Sequence, residues 1–311
     1  MTEIKQYAPV IVPTLNRFDH FKRCLESLEK CTGADKTDIY VGLDYPPSEK
    51  YVDGWKKIDE YLTEKEKQHS FKNLFVRRRA QNCGVGNQNS NMNLLIREVG
   101  SHSDTFISTE DDNEFSLCFL DYINKALLKY WDDNRVTAVC GYSFPVDMSG
   151  YKNNVYFYHD QSAWGLARWT HKRSLTSYEY RDEVFHSFRK MFKLYWRDSR
   201  LFYYLLYMVS HGLYWGDALN GIYNVINNQY VLYPKVSMCR NHGHDGTGIN
   251  CGDSVGNDNY SGQEIESRLT FDLDTIEVKD CRERALRNRF KLRLKEKLSY
   301  IKQYIKYVIS K

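Results

Sequence analysis

Apolar and polar positions along the first 142 residues switch repeatedly between two periods. Ala8 to Thr14 (APVIVPT) is a short apolar run and reads as a buried strand. From Arg17 to Cys31 the apolar positions Phe18, Phe21, Leu25 and Leu28 fall at helical spacing. A second strand is predicted at Asp38 to Asp44, followed by a charged helix-like segment from Ser48 to Gln68. A third strand, Asn73 to Arg78, precedes a helix from Asn87 closed by Gly100. Thr105 to Thr109 is the fourth strand, Ser116 to Tyr130 a helix, and Val136 to Tyr142 the fifth strand. Such alternation predicts an α/β fold, a mostly parallel sheet flanked by helices with right-handed crossovers.

The second half is less regular. Phe188 to Trp215 interleaves Arg and Lys with aromatics at helical spacing. A buried helix pair is the default reading, and an apolar ledge facing a lipid acceptor the alternative. Leu219, Ile222, Tyr223 and Ile226 continue as a helix behind Asp217. At the C-terminus Leu286, Phe290, Leu294, Leu298, Ile301, Ile305 and Val308 hold one face of a basic amphipathic helix.

With 311 residues and 42% hydrophobic content the chain can bury a substantial core. We divide it into a body over 1–275, with halves 1–142 and 143–275, and a tail over 276–311. The formal charge of +4 conceals an asymmetry. Arg282 to Lys311 holds eleven Lys or Arg against two acids, a net +9, which leaves −5 on the rest. The opening MTEIKQYAPV carries no basic segment followed by an apolar one, so no secretory signal is expected. The longest apolar run, Leu201 to Val209, is too short to span a bilayer. Eight scattered cysteines without a CxxC spacing predict free thiols in a reducing cytoplasm.

The chemistry concentrates in TFISTEDDNEFS. An apolar strand ends in Glu110, Asp111 and Asp112, with Glu114 two residues on. Adjacent carboxylates disfavour one another's ionisation, and the only cations in the next twenty residues are Lys125 and Lys129. A divalent cation, Mg2+ or Mn2+, is the expected partner. In open sheets of this kind ligands sit beyond the carboxyl ends of the strands. That rule gathers four loops, which carry Thr14, Asn16 and Arg17; Asp44; Arg77, Arg78, Arg79, Asn82 and Gly84; and the acids. The set suits a nucleotide diphosphate, with arginines for phosphate oxygens and Asp44 accepting the N3–H of a uracil-type base. Taken singly each residue has a plainer reading, as a helix cap, a solvated face or a turn. No GxxxxGK[ST] is present, and GVG at Gly84 lacks the third glycine of a dinucleotide fingerprint.

These residues carry a resemblance. APVIVPTLNRFDHFKRCLESL is similar to the opening of family 2 glycosyltransferases of the GT-A fold, a Rossmann-like nucleotide-diphospho-sugar transferase fold. FISTEDDNEFSLCFLDYINKAL resembles their acidic DxD-type motif in an EDD form. SAWGLARWTHKR (Ser162 to Arg173) and YWGDALNGIYNVINNQYVLYPKVSMCRNHGHDGTG (Tyr214 to Gly248) resemble segments of bacterial surface-polysaccharide transferases.

The resemblance implies a nucleoside pocket lined by Pro13, Thr14, Asn16, Arg17 and Asp44, with Arg78 or Arg79 and Asn82 near it. Asp112 would hold the metal, Asp111 and Glu110 would face the donor, and His244, or alternatively His242, would complete the metal site. Trp164, Trp169 and Trp215 would line the sugar or acceptor pocket, with His242 among the substrate contacts; core packing is the competing reading, for Trp169 more than for Trp164. The catalytic base would be Asp217. The competing reading is a helix N-cap, and Glu179, Asp182, Glu183 and Asp253 are further candidates. The implied activity is transfer of a sugar (hexosyl or hexosaminyl) from a nucleotide donor, UDP-sugar favoured, to a glycan acceptor. Inversion, a lipid-linked acceptor and a role in surface polysaccharide synthesis go with it. The tail would then sit on an anionic membrane at its cytoplasmic face, or pack on the domain or a partner subunit. A metal-dependent phosphohydrolase or nucleotidyltransferase is the main alternative, and a non-catalytic membrane-surface protein the other. Nucleic acid is not an expected partner, because the tail lacks regularly spaced stacking aromatics.

Overall fold

The apolar runs assemble into one eight-stranded sheet. In the computed structural model, which describes residues 7–84, 89–172, 176–248, 260–273 and 292–309, the nucleotide-side strands are β1 (Val10–Thr14), β2 (Asp38–Leu43), β3 (Asn73–Arg78) and β4 (Thr105–Ser108). A short strand β5 (Asn113–Phe115) follows the acids, and then come β6 (Val136–Cys140), β7 (Val155–Tyr158), β8 (Leu166–Trp169), β9 (Tyr230–Pro234) and β10 (Cys239–Asn241). The main sheet has the order β3-β2-β1-β4-β8-β6-β9-β7, and β5 pairs with β10 in a separate two-stranded sheet. β1 runs parallel to both β2 and β4, β2 to β3, and β6 to β9. β8 lies antiparallel between β4 and β6, and β7 is antiparallel at the edge. The mostly parallel α/β architecture and the C-terminal helix are as expected; the two antiparallel strands come from the half whose patterning showed no strands.

Helices cover both faces because the strand period is two. Val10 and Val12 join the core under α1 (Phe18–Glu29), α2 (Val52–Lys65) and α4 (Phe119–Lys129). Ile11, Tyr40 and Phe106, on the other face, meet Leu95 and Val99 of α3 (Asn91–Gly100). The helix expected from Ser116 starts at Phe119 because β5 uses the residues directly after the acids. The six described cysteines are free thiols; Cys251 and Cys281 lie outside the described residues.

A helical layer follows, made of α5 (Tyr178–His186), α6 (Phe188–Arg197), α7 (Ser199–His211) and α8 (Gly216–Asn227), with its own apolar cluster. The expected helix pair is α6 and α7, broken at Asp198, whose carboxylate caps α7 by accepting the N–H of Arg200 (3.0 Å) and Leu201 (3.3 Å). A buried polar cluster ties this layer to the sheet. Asp198 Oδ2 lies 2.9 Å from His159 Nε2, Arg200 pairs with Asp160, and Asn224 Nδ2 donates to the His159 carbonyl at 2.9 Å. Among the described residues no helix is long and apolar enough to cross a membrane.

The tail helix α9 (Leu294–Ile309) docks on this layer through an unexpected face. Tyr300 stacks on Tyr203 at 4.2 Å, and Tyr304 packs on Phe185 and donates its hydroxyl to the Phe185 carbonyl (3.1 Å). Tyr307 also meets Phe185. The aliphatic stripe stays outside, with Leu294, Leu298, Ile305 and Val308 all exposed. Leu286 and Phe290 lie outside the described residues.

Candidate functional site

Adjacent parallel strands deliver their C-terminal loops side by side, and here β1 and β4 do so. Thr14 Oγ1 donates to Asp111 Oδ2 at 2.8 Å. The Arg17 guanidinium bridges the two acids: Nη2 pairs with Asp111, and Nη1 lies 2.8 Å from Asp112 Oδ2. The cation beside the cluster is therefore Arg17, which lies far upstream in sequence; the expectation of a metal rested on cations close in sequence. Burial by itself would lower the Arg17 pKa, but Asp111 and Asp112 raise it, and the group stays charged. Asp111 is pushed upward by burial, a shift Arg17 opposes and Asp112 reinforces.

The β5–β10 pairing closes the site from the other side. Asn241 lies opposite Asn113, which places Asn241 Nδ2 2.6 Å from Asp112 Oδ1. The His242 N–H donates to the Asp112 carbonyl at 2.8 Å. At Gly243 a Cβ would stand 2.1 Å from Asp112 Oδ2 and 3.1 Å from Arg17 Nη1. Only glycine permits that approach.

The two histidines separate. His242 Nε2 turns to Glu114 Oε2 at 2.8 Å, a carboxylate that also takes Arg240, and burial lowers the His242 pKa. His244 Nδ1 lies 3.1 Å from Asn241 Oδ1, an oxygen that also accepts the Gly243 N–H at 2.9 Å. That acceptor puts the proton on Nδ1 of the neutral ring and leaves the Nε2 lone pair for a ligand. One amide thus holds Asp112 on its nitrogen and His244 on its oxygen. A carboxylate and an imidazole suit Mn2+ or Mg2+, and such ions usually take further oxygens from substrate phosphate and water. Among the described residues no group of three or more His, Cys, Asp or Glu gathers at metal-binding geometry.

Glu110 turns to Trp164. Its Oε2 accepts the Trp164 indole N–H at 3.1 Å. Burial, then repulsion from Asp112, Asp217 and Asp111, raises its pKa to about 7. Asp217 is therefore within electrostatic reach of Glu110. Asp217 is not the cap of α8: Trp215 occupies that position without a side-chain bond, and Asp217 follows as the second helical residue. Its carboxylate accepts from Gln161 Nε2 at 3.2 Å. Its side chain is exposed to solvent, although many protein atoms lie around it. The crowding raises its pKa, opposed by Arg168 and then Gln161. Trp215, 39% exposed, stacks on Tyr207 at 5.4 Å. Trp164 is packed among Tyr142, His244 and Tyr260, and Trp169 is fully buried.

The base-side loops are only partly assembled around the site. Asp44 Oδ1 accepts the N–H of Tyr45 and of Cys83, both at 2.9 Å, and Asn82 Nδ2 lies 3.4 Å from Oδ2. Pro13 lies in β1 beside Gly42, and the Asn16 carbonyl lies under Gly54, where a Cβ would approach it to 2.0 Å. Arg78 pairs instead with Asp59 and Glu66 of α2, and Arg79 Nε donates to Asn91 at 3.0 Å. Of the other base candidates, Asp182 pairs with Arg181 and Glu183 with Lys190, Glu179 lies on the same helix α5, and Asp253 falls outside the described residues. Sequence reasoning missed Asn241, Gly243, Gln161 and Arg168; the Asn-His-Gly-His run drew attention to its histidines alone. A groove of about 750 Å³ between α1 and residues 265–267 lies behind Glu114 and does not include Asp111, Asp112 or Asp217.

No protein-family model and no curated protein matches this chain. Among solved structures it is similar to S. aureus TarS, at 15% identity and a TM-score of 0.35 over 53% of this chain and 28% of that one. It is similar to TarS 1-349 at 14% identity and a TM-score of 0.35, over 53% of this chain and 47% of that one. The mannosyltransferase PcManGT from Pyrobaculum calidifontis, in complex with GDP-Man and Mn2+, is similar at 11% identity and a TM-score of 0.37, over 71% of this chain and 69% of that one. The chain thus spans less than half the length of the two TarS chains it matches.

Proposed function

We propose that this chain is a divalent-metal-dependent glycosyltransferase of the GT-A type that moves a sugar from a nucleotide-diphosphate donor to a glycan acceptor. The observation that carries the reading is the convergence of Arg17, Asp111, Asp112 and the Asn241–His244 loop at the carboxyl ends of β1 and β4. Asp112 and His244 would hold the cation, whose charge would neutralise the departing diphosphate. Arg17 adds a fixed positive charge beside it. Asp44 and Asn82 would meet a uracil-type base.

In the reaction, an acceptor hydroxyl oxygen bonds to the anomeric carbon as the bond from that carbon to the diphosphate oxygen breaks. The hydroxyl proton passes to Asp217, the nucleoside diphosphate leaves, and the anomeric configuration inverts. A raised pKa suits that task. The acceptor in this reading is a lipid-linked glycan of surface polysaccharide synthesis, reached from an anionic membrane face.

The test is thermal shift with UDP-, dTDP- and GDP-sugars, each with Mn2+ and with EDTA. One donor should stabilise the protein in Mn2+ alone, and Asp112→Asn should lose that response while remaining folded. Equal stabilisation in EDTA would remove the metal, and a GDP-sugar as the tightest donor would remove the Asp44 assignment. Phosphate release without an acceptor would favour a phosphohydrolase.

A further inference from the structure

α6 presents two stripes. Met191 and Leu194 are buried in the helical layer, while Phe188, Phe192 and Trp196, at spacings of four, are 75%, 55% and 66% exposed. Their rings contact each other along the helix, Phe188 to Phe192 at 6.2 Å and Phe192 to Trp196 at 6.0 Å. Scattered exposed apolar residues are ordinary, but a continuous aromatic stripe marks an interaction surface. α6 also carries Arg189, Lys190, Lys193 and Arg197 and no carboxylate. Lys190 pairs with Glu183, Lys193 reaches the Ile226 carbonyl, and Arg189 is exposed. The docked tail repeats the arrangement. With its tyrosines committed to the layer, Leu294, Leu298, Ile305 and Val308 face outward among Lys295, Lys297, Lys302 and Lys306, with Glu296 the one acid.

We propose that the exposed aromatic stripe of α6 binds the interface of an anionic lipid bilayer, with the basic outward face of α9 adding to the attraction. Aromatic rings at the headgroup level with cations beside them match that environment, and each cation near an anionic leaflet adds to the attraction. A second copy of the chain fits less well, since α6 against α6 would set four cations against four. The inference deepens the membrane-facing part of the proposed function, and its test needs no turnover.

The experiment is sedimentation of the full chain at low salt with vesicles of phosphatidylglycerol and phosphatidylcholine, and with phosphatidylcholine alone. Wild type should bind the anionic vesicles and largely ignore the neutral ones. The triple variant Phe188→Ser, Phe192→Ser, Trp196→Ser, checked for fold by circular dichroism, should lose about tenfold or more of that binding. If the triple variant does not fold, Phe192→Glu alone serves the same comparison. A blue-shifted emission with anionic vesicles should vanish in Trp196→Phe. Three results would overturn the proposal. They are wild type that ignores anionic vesicles, stripe variants that bind undiminished through tail charge alone, and a dimer by light scattering that the stripe variants turn into a monomer.

Discussion

Asp217 and Glu110 meet one physical problem: each is a carboxylate whose pKa the surrounding protein pushes up. Under the proposed function the consequence for Asp217 is catalytic. Asp217→Asn should lower turnover at least about a hundredfold, the lower range for a lost general base, with donor affinity unchanged. Its melting temperature should barely move, because the residue caps nothing. An unfolded variant with normal specific activity would make the residue structural. For Glu110 the consequence is a pH signature. Its folded pKa, about 7, lies above the ordinary 4.5, so the protonated form favours folding. That contribution is complete below pH 4.5 and disappears as pH rises through 7. Between those limits wild type should lose on the order of 1–3 kcal/mol relative to Glu110→Gln in urea unfolding. Parallel stability curves for the two proteins would contradict it.

Among the elements, α7 depends most on a single side chain. Burial alone would raise the Asp198 pKa, yet the hydrogen bond from His159 and the charges of His159 and Arg200 hold it well below the carboxylate range. The sign is opposite to that of Glu110. The stability contributed by Asp198 is present above its unfolded pKa, about 3.9, and is lost as pH falls below that value toward the folded one. Asp198→Ala removes the cap and leaves His159 and Arg200 with less of their buried partner, and should cost about 3–5 kcal/mol in chemical denaturation. A loss near 1 kcal/mol would mean that only the cap mattered. α6 and α7 were legible as a helix pair from the helical spacing of Phe188 to Trp215. The place of the break was not, because an Asp in a helical pattern signals a cap only once its partners are known.

For the whole molecule, local periodicity determined the first four strands and their intervening helices, since each strand buries its faces in order and period does not depend on distant contacts. The acid cluster and the candidate residues at the ends of β1 and β4 were equally legible, because parallel sheets put strand ends together. Tertiary structure alone decided what answers the acids: Arg17 crosses from the β1 loop, and Asn241 arrives on β10 only because β10 pairs with β5. It turned His242 to Glu114 and His244 to Asn241, paired Arg78 with Asp59 and Glu66, and put Trp215 rather than Asp217 at the cap of α8. The antiparallel β7 and β8 are four residues each, too short to show a period, and take their strand form from neighbours. The tail shows the same division most plainly. Its sequence fixes an amphipathic helix, but both its aliphatic and its tyrosine faces can pack. The rings of Phe185, Phe202 and Tyr203 select the tyrosines, since aromatic contacts depend on a partner's shape that no linear pattern contains.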